Sequence, residues 1–232
     1  MKIRSKRFKL LKSYISTLPS SLSIDSATSI LKKLAIVKFS ETFEAHIALN
    51  IDPRKPNQQL CSNLTLPHNF IKNKRIAVLT SESNIDYALS LGVSIAGCDD
   101  LLKKISQNKF DFDILIATWE ISDKLLKVSH ILGRKGLMPS PKFGTLTKNL
   151  QKTISEYDKG KIEYKSDKNG IVHISFGKSN LSNDELKENL IAIYNSLHKN
   201  KPTGLRGKYI KSFYICSTMS PSLNIDINSF NT

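Results

Sequence analysis

Two short runs of the sequence place polar side chains at every second position. Thr42, Glu44 and His46 alternate with Phe43, Ala45, Ile47 and Leu49, the pattern of a strand with one buried and one polar face. Near the other end of the chain, Ser212, Tyr214, Cys216 and Thr218 repeat the period of two, and Met219, Ser220 and Pro221 follow in a turn. Hydroxyls, a carboxylate and an imidazole on one sheet face can exchange hydrogen bonds with a polar ligand. Read alone, they are solvated sheet, and Phe39 at the entrance to the first run reads as a core aromatic. A third stretch, Leu132 to Thr145, combines three glycines (Gly133, Gly136, Gly144), two prolines (Pro139, Pro141) and three cations (Arg134, Lys135, Lys142). Glycine permits close backbone approach to a ligand or another chain segment, and proline stiffens a loop. The same composition also suits a rigid connector with solvated cations.

Other chemistries fail on spacing. Gly177-Lys178-Ser179 resembles the end of a phosphate-binding loop, but the first glycine of that motif falls on Val172. No G-x-G-x-x-G follows an apolar strand, so a dinucleotide site is not expected. His46, His68, His130, His173 and His198 show no H-x-x-x-H spacing, and no G-x-S-x-G elbow is present. Asp99-Asp100 reads as the charged start of a helix. Cys61, Cys98 and Cys216 are too scattered for a disulfide framework or a C-x-x-C zinc site, so no metal and no cofactor are expected.

The elements that must carry these residues change rhythm along the chain. Leu10, Leu11, Tyr14 and Ile15 recur at helical spacing within a basic start, and Ala27, Ile30, Leu31 and Leu34 mark a helix over 25–37. That start also has the look of a transit peptide. A strand over 41–50 follows, then the breaker Asp52-Pro53-Arg54-Lys55-Pro56. In the middle, Ile76–Leu79 and Asp113–Ala117 are apolar strands; helices are expected near 85–91, 100–106, 123–132 and 147–157. This alternation predicts a parallel sheet covered on both faces. Beyond Gly160, strands over 161–167 and 171–176 meet at Asn169-Gly170, a hairpin pair. Ser182-x-x-Glu185 opens a helix with the stripe Leu186, Leu190, Ile193 and Leu197, and strands are expected over 209–217 and 223–227. The fold class is therefore α+β at the two ends and α/β in the middle: residues 1–67 with 160–232 as one discontinuous domain, and residues 68–159 inserted into it.

Charge follows the split. The chain of 232 residues carries a formal charge of +15, which favours a polyanionic partner. Residues 68–159 hold 14 basic and 10 acidic side chains, whereas the flanks hold 21 and 10. A phosphate-backbone surface belongs on the two-ended domain. No apolar run approaches the roughly 18–20 residues of a membrane helix.

Several runs are recognisable together. Lys38-Phe39-Ser40-Glu41-Thr42, Asp52-Pro53-Arg54-Lys55, Gly136-Leu137-Met138-Pro139-Ser140-Pro141-Lys142-Phe143-Gly144-Thr145, Gly170-Ile171-Val172-His173, Lys201-Pro202, Gly207-Lys208-Tyr209 and Ser217-Thr218-Met219 occur in one order. Together they resemble the family of the first protein of the large ribosomal subunit, in its bacterial and organellar form. The resemblance implies a ferredoxin-like α+β domain from both chain ends and an inserted, Rossmann-like three-layer α/β domain. It implies a structural protein without catalytic activity or cofactor. Its expected partners are the stalk region of large-subunit ribosomal RNA, exit-site tRNA, other large-subunit proteins and, for many bacterial members, their own mRNA, which they repress. The matched rRNA contacts are Phe39, Thr42, Glu44, Ser212, Thr218 and Met219, with Lys38, Lys201 and Lys208 as an electrostatic rim. Gly136, Met138, Pro139, Pro141, Lys142 and Gly144 match the signature loop. Ser220 stands where glycine is usual, and Arg134 where proline is usual. The alternative from another class is a nucleotide-using transferase on the parallel sheet, which the phosphate-loop spacing disfavours. Only six of the 35 basic residues are Arg, a bias of AT-rich genomes, and the resemblance begins early enough to leave little room for a transit peptide. A plastid stroma with an organelle-encoded chain is the expected location, with a bacterial cytoplasm as the alternative.

Overall fold

The computed structural model describes residues 5–70, 74–203, 205 and 207–230. It divides into two compact units, Met1–Phe70 with Glu163–Thr232, and Ile71–Ile162. In chain order the first part holds α1 (Lys6–Ser16), α2 (Ile24–Leu34), β1 (Thr42–Leu49) and β2 (Cys61–Thr65). The middle holds β3 (Ile76–Leu79), α3 (Ile85–Ser90), β4 (Ile95–Gly97), α4 (Asp99–Ser106), β5 (Ile114–Thr118), α5 (Ser122–Leu126), α6 (Ser129–Lys135), β6 (Leu146–Thr147) and α7 (Leu150–Asp158). The last part holds β7 (Lys161–Lys165), β8 (Ile171–Lys178), α8 (Asn183–Lys199), β9 (Ile210–Ser217) and β10 (Leu223–Ile225).

In the two-ended unit, β10, β9, β1 and β8 form an antiparallel sheet in that order. Phe43, Ala45 and Ile47 of β1, Phe176 of β8, and Phe213 and Ile215 of β9 are fully or nearly fully buried on one face. Helices α2 and α8 lie against each other and against this sheet. Ser23 caps α2, and Ser182 with Glu185 forms a capping box at the start of α8, which satisfies otherwise orphaned N–H groups of the first turn. Gly177 lets α8 approach β8 closely, because a Cβ there would collide with Leu186 Cδ2. Its pairing with Lys178 and Ser179 therefore serves packing. Asn189 of α8 is buried, and its amide donates to the carbonyls of Phe176 and His68. The opposite face of the sheet presents the even-numbered residues of β1, with Glu44 exposed and Thr42, His46 and Ala48 partly buried.

The second unit is a parallel sheet in the order β4, β3, β5, β6. Ala77, Leu79, Leu115 and Ala117 pack on one side with Leu101, Ile105, Leu125 and Leu132. Ile76, Val78 and Ile116 pack on the other with Ala88, Leu150, Ile154 and Tyr157. All four residues of β3 are buried, as a sheet sandwiched between helices requires.

Five expectations are corrected. The strands on either side of Asn169-Gly170 do not form a regular hairpin: β7 pairs with β2, β8 pairs with β1, and one bridge, Ser166 to Val172, spans the turn. Gly170, with φ of 76°, does take the left-handed conformation that the turn needs. The helix expected over 123–132 is two short helices, α5 and α6, and the helix expected from 147 begins at Leu150 behind the short strand β6. Strands β2, β4 and β6 are additional to the expected set; they are short and lack a clear alternation. Phe39 is 53% exposed and is no core aromatic. The expected basic start is realised as α1, while its residues 1–4 lie outside the described residues.

Candidate nucleic-acid interface

The two polar strand faces of the sequence are one surface. In the ladder between β1 and β9, Glu44 faces Cys216, His46 faces Tyr214 and Ala48 faces Ser212. At its end the Thr218 N–H donates to the Thr42 carbonyl at 3.1 Å, and the Thr42 N–H donates to Thr218 Oγ1 at 3.2 Å. Residues 176 positions apart are thus joined by backbone and hydroxyl. Across β8, His173 and Ser175 extend the surface beside His46 and Glu44.

Behind this junction stands Glu41, which is 1% exposed. One carboxylate oxygen accepts from Ser217 Oγ at 2.5 Å and from the Met219 N–H at 3.0 Å. Its backbone carbonyl accepts the Ser179 N–H. Glu41 therefore fixes the turn that offers Thr218 and Met219 to solvent, because one carboxylate oxygen ties Ser217 and Met219 together. Ser220 completes the turn: its hydroxyl accepts the Ser217 N–H at 3.0 Å and donates to the Pro221 carbonyl. The serine that replaces the usual glycine thus has a bonding role of its own. Glu41 was legible in principle, because it has the parity of the inward residues Phe43 and Ala45, where a carboxylate needs a partner.

Of the remaining matched residues, Lys38, Phe39, Glu44 and Met219 lie near this junction, whereas Ser212, Lys201 and Lys208 lie toward the other end of the β1–β9 ladder. Lys38 and Phe39 are exposed on the loop entering β1, Glu44 is exposed on its outward face, and Met219 is 44% exposed. Ser212 is half-buried and lines a cavity of about 410 Å³ together with Lys208, Tyr209 and Asn224. Lys201 is exposed, with its ammonium 5.8 Å from the centre of the Tyr209 ring. Burial pushes the Tyr209 phenol up to about 12. A second cavity of about 380 Å³ is lined by Ser5, Arg7, Phe8, Thr218, Met219 and Ser220, so the basic helix α1 reaches the same turn. Burial and the neighbouring His173 ring hold His46 below the ordinary imidazole value, against the opposing effect of Glu44. Burial, reinforced by Glu44, pushes the Cys216 thiol up. Sequence spacing did not reveal this His46–Cys216 neighbourhood, which depends on strand register.

The signature loop belongs to the other unit and has a visible structural task. Gly136 ends α6 in the left-handed conformation, and Gly144 is left-handed as well. Leu137 and Met138 pack against the core, and Pro139 is buried. Ser140 N–H donates to Thr145 Oγ1, the Thr145 N–H returns to the Ser140 carbonyl, and the Thr145 carbonyl accepts the Ala117 N–H. Pro141 and Lys142 are exposed at the tip. Among the described residues no helix is long and apolar enough to cross a membrane.

Residues 31–221 match the model of the Ribosomal protein L1p/L10e family. The chain is 50% identical over 208 residues to the large ribosomal subunit protein uL1c of Trieres chinensis, covering 90% of each chain. It is 51% identical over 208 residues to the uL1c of Phaeodactylum tricornutum, again covering 90% of each. It is 47% identical over 203 residues to the uL1 of Prochlorococcus marinus strain MIT 9215, covering 88% of this chain and 86% of that one. These relatives are named as ribosomal proteins, not as enzymes. With the family model matched over most of its length and relatives this similar, the chain belongs to the Ribosomal protein L1p/L10e family.

Proposed function

We propose that this chain is a structural constituent of the large ribosomal subunit, and that the open face of its antiparallel sheet binds the stalk region of large-subunit rRNA. One observation carries the reading: Thr42 and Thr218, from opposite ends of the sequence, are hydrogen-bonded at the rim of the polar sheet face. Beside them stand an exposed aromatic, Phe39, and the exposed Lys38, while the exposed Lys201 and Lys208 lie at the other end of the same strand ladder, next to Tyr209. Such a face suits folded RNA. Hydroxyls and the Glu44 carboxylate bond 2′-hydroxyls and base edges, an aromatic ring stacks on an unpaired base, and lysines hold phosphates. In this reading the two units are the ferredoxin-like and Rossmann-like domains that the family resemblance implies. In this reading the chain forms the mobile stalk that assists release of deacylated tRNA from the exit site, touches other large-subunit proteins, and represses its own mRNA through the same face. It works in a plastid stroma, encoded by the organelle, with a bacterial cytoplasm as the alternative; the lysine-rich composition supports this.

The test is binding to a stalk-region RNA fragment against an unrelated hairpin of equal length. Thr218→Val removes the hydroxyl that orders the junction and is expected to cost about 1–3 kcal/mol of discrimination. Lys208→Ala is expected to weaken both RNAs alike and to reduce the salt slope by about one. Equal affinity of the unaltered chain for both RNAs at moderate salt would overturn the reading.

A further inference from the structure

The open face also carries a donor set of a different kind. Glu44 and His46 are alternate residues of β1 and so point the same way, and Cys216 faces Glu44 across the ladder. His46 Nε2 lies 3.1 Å from Cys216 Sγ and 4.0 Å from Glu44 Oε2. The three donor atoms all fall within 4.8 Å of one another. In a tetrahedral zinc site with bonds of about 2.0–2.3 Å, ligand atoms stand roughly 3.3–3.7 Å apart. Side-chain adjustments of up to about an ångström would bring this set to that spacing.

The other ring nitrogen of His46 is already engaged. His46 Nδ1 lies 2.8 Å from His173 Nδ1, and His173 Nε2 lies 3.7 Å from Asp167 Oδ2. A ligating imidazole is held by a partner on its second nitrogen, which fixes ring orientation and tautomer. With a metal on Nε2, His46 would carry its proton on Nδ1 and donate it to His173. His173 would then keep its own proton on Nε2, facing Asp167. The chain from carboxylate to imidazole to imidazole ends at the three-donor cluster.

We propose that Glu44, His46 and Cys216 bind a thiophilic divalent cation of the zinc class, with His173 as the positioning residue and a fourth coordination place open to solvent. Thiolate and imidazole donors favour zinc over magnesium or calcium. Binding forms a metal–sulfur bond and releases the Cys216 thiol proton to solvent.

The experiment is titration of the full, reduced, RNA-free chain with Co²⁺ alone, followed by displacement with Zn²⁺. The expected result is a sulfur-to-cobalt charge-transfer band with intense visible bands of tetrahedral cobalt, both lost on adding Zn²⁺. Cys216→Ser should abolish the charge-transfer band, whereas Cys61→Ser and Cys98→Ser should retain it. His173→Ala should keep the band and weaken Zn²⁺ affinity by roughly 10–100-fold, and His46→Gln should weaken it at least as much. The absence of a charge-transfer band in the unaltered chain, or its persistence in Cys216→Ser, would overturn the proposal. Because no RNA is present, this result is independent of the RNA-binding test.

Discussion

Among the described residues, α2 and α8 cover one face of the antiparallel sheet and leave polar residues exposed on the other, whereas helices cover both faces of the parallel sheet. Strand β1 alternates buried and partly exposed residues along its length, while β3 is buried throughout and β5 nearly so. The difference separates two uses of a sheet. A doubly covered sheet spends every side chain on packing, so a ligand can meet it only at strand ends and loops. A singly covered sheet keeps half of its side chains for recognition, positioned by the other half. In β9 the division runs between neighbours: Phe213 is fully buried, whereas Tyr214 is 39% exposed.

That contrast is broken or upheld most strongly by truncating adjacent residues. Phe213→Ala should cost about 3–5 kcal/mol in urea unfolding, and Tyr214→Ala no more than about 0.5 kcal/mol. In β5, Leu115→Ala and Ile116→Ala should both cost about 2–5 kcal/mol, because each fills one of the two core layers. A Tyr214→Ala cost equal to that of Phe213→Ala would mean that the outward face is packed in solution and cannot serve recognition.

A smaller effect tests how the open face is held. Glu41→Ala removes the acceptor for Ser217 Oγ and the Met219 N–H, both close behind the surface. It should lower stability by about 1–3 kcal/mol, the cost of leaving buried donors unpaired. The Thr42–Thr218 junction should loosen with it, seen as faster amide exchange at Thr218 and Met219. Unchanged exchange there would separate Glu41 from the turn and assign it to global stability alone.

The parts of this arrangement visible in the sequence were those with a local period. The alternation in Thr42–Leu49 and in Ile210–Ser217 marked both strands and their polar faces before any pairing was known. The capping box at Ser182 and Glu185 marked the start of α8 in the same way. What escaped was what register decides. His46, His173 and Cys216 are far apart in sequence, and no spacing rule links them; the ladders of β1 with β8 and β9 do. Phe39 escaped because an aromatic beside a strand is usually drawn into the core, whereas here the inward place is taken by Phe43. The loop from Gly136 to Gly144 gave its rigidity away through glycine and proline. Its composition could not say that Pro139 would be buried and Lys142 left in solvent.

The smallest expected effect compares one carboxylate from each unit. Asp167 accepts the N–H groups of Ile171 and Asn169 at 2.7 and 2.9 Å in the turn before β8, and these backbone bonds hold it below the usual carboxylate range. Asp113 is held below that range by the Arg75 side chain, whose Nη2 donates to it at 3.2 Å, and by the Arg75 N–H. In both, the folded state binds its proton less tightly than the unfolded state. Their stabilisation is therefore present above the ordinary carboxylate value of about 3.9 and is lost as pH falls through and below it. Each should contribute under about 1 kcal/mol, because both groups are largely open to screening solvent. Salt distinguishes them. The stability gap between the unaltered chain and Asp113→Asn should shrink between 0.01 and 1 M salt, where the Debye length falls from about 30 to about 3 Å. The gap for Asp167→Asn should hold, since its donors are neutral peptide groups at hydrogen-bond distance. Equal salt sensitivity would show that long-range charge, and not the turn's own hydrogen bonds, sets the Asp167 contribution.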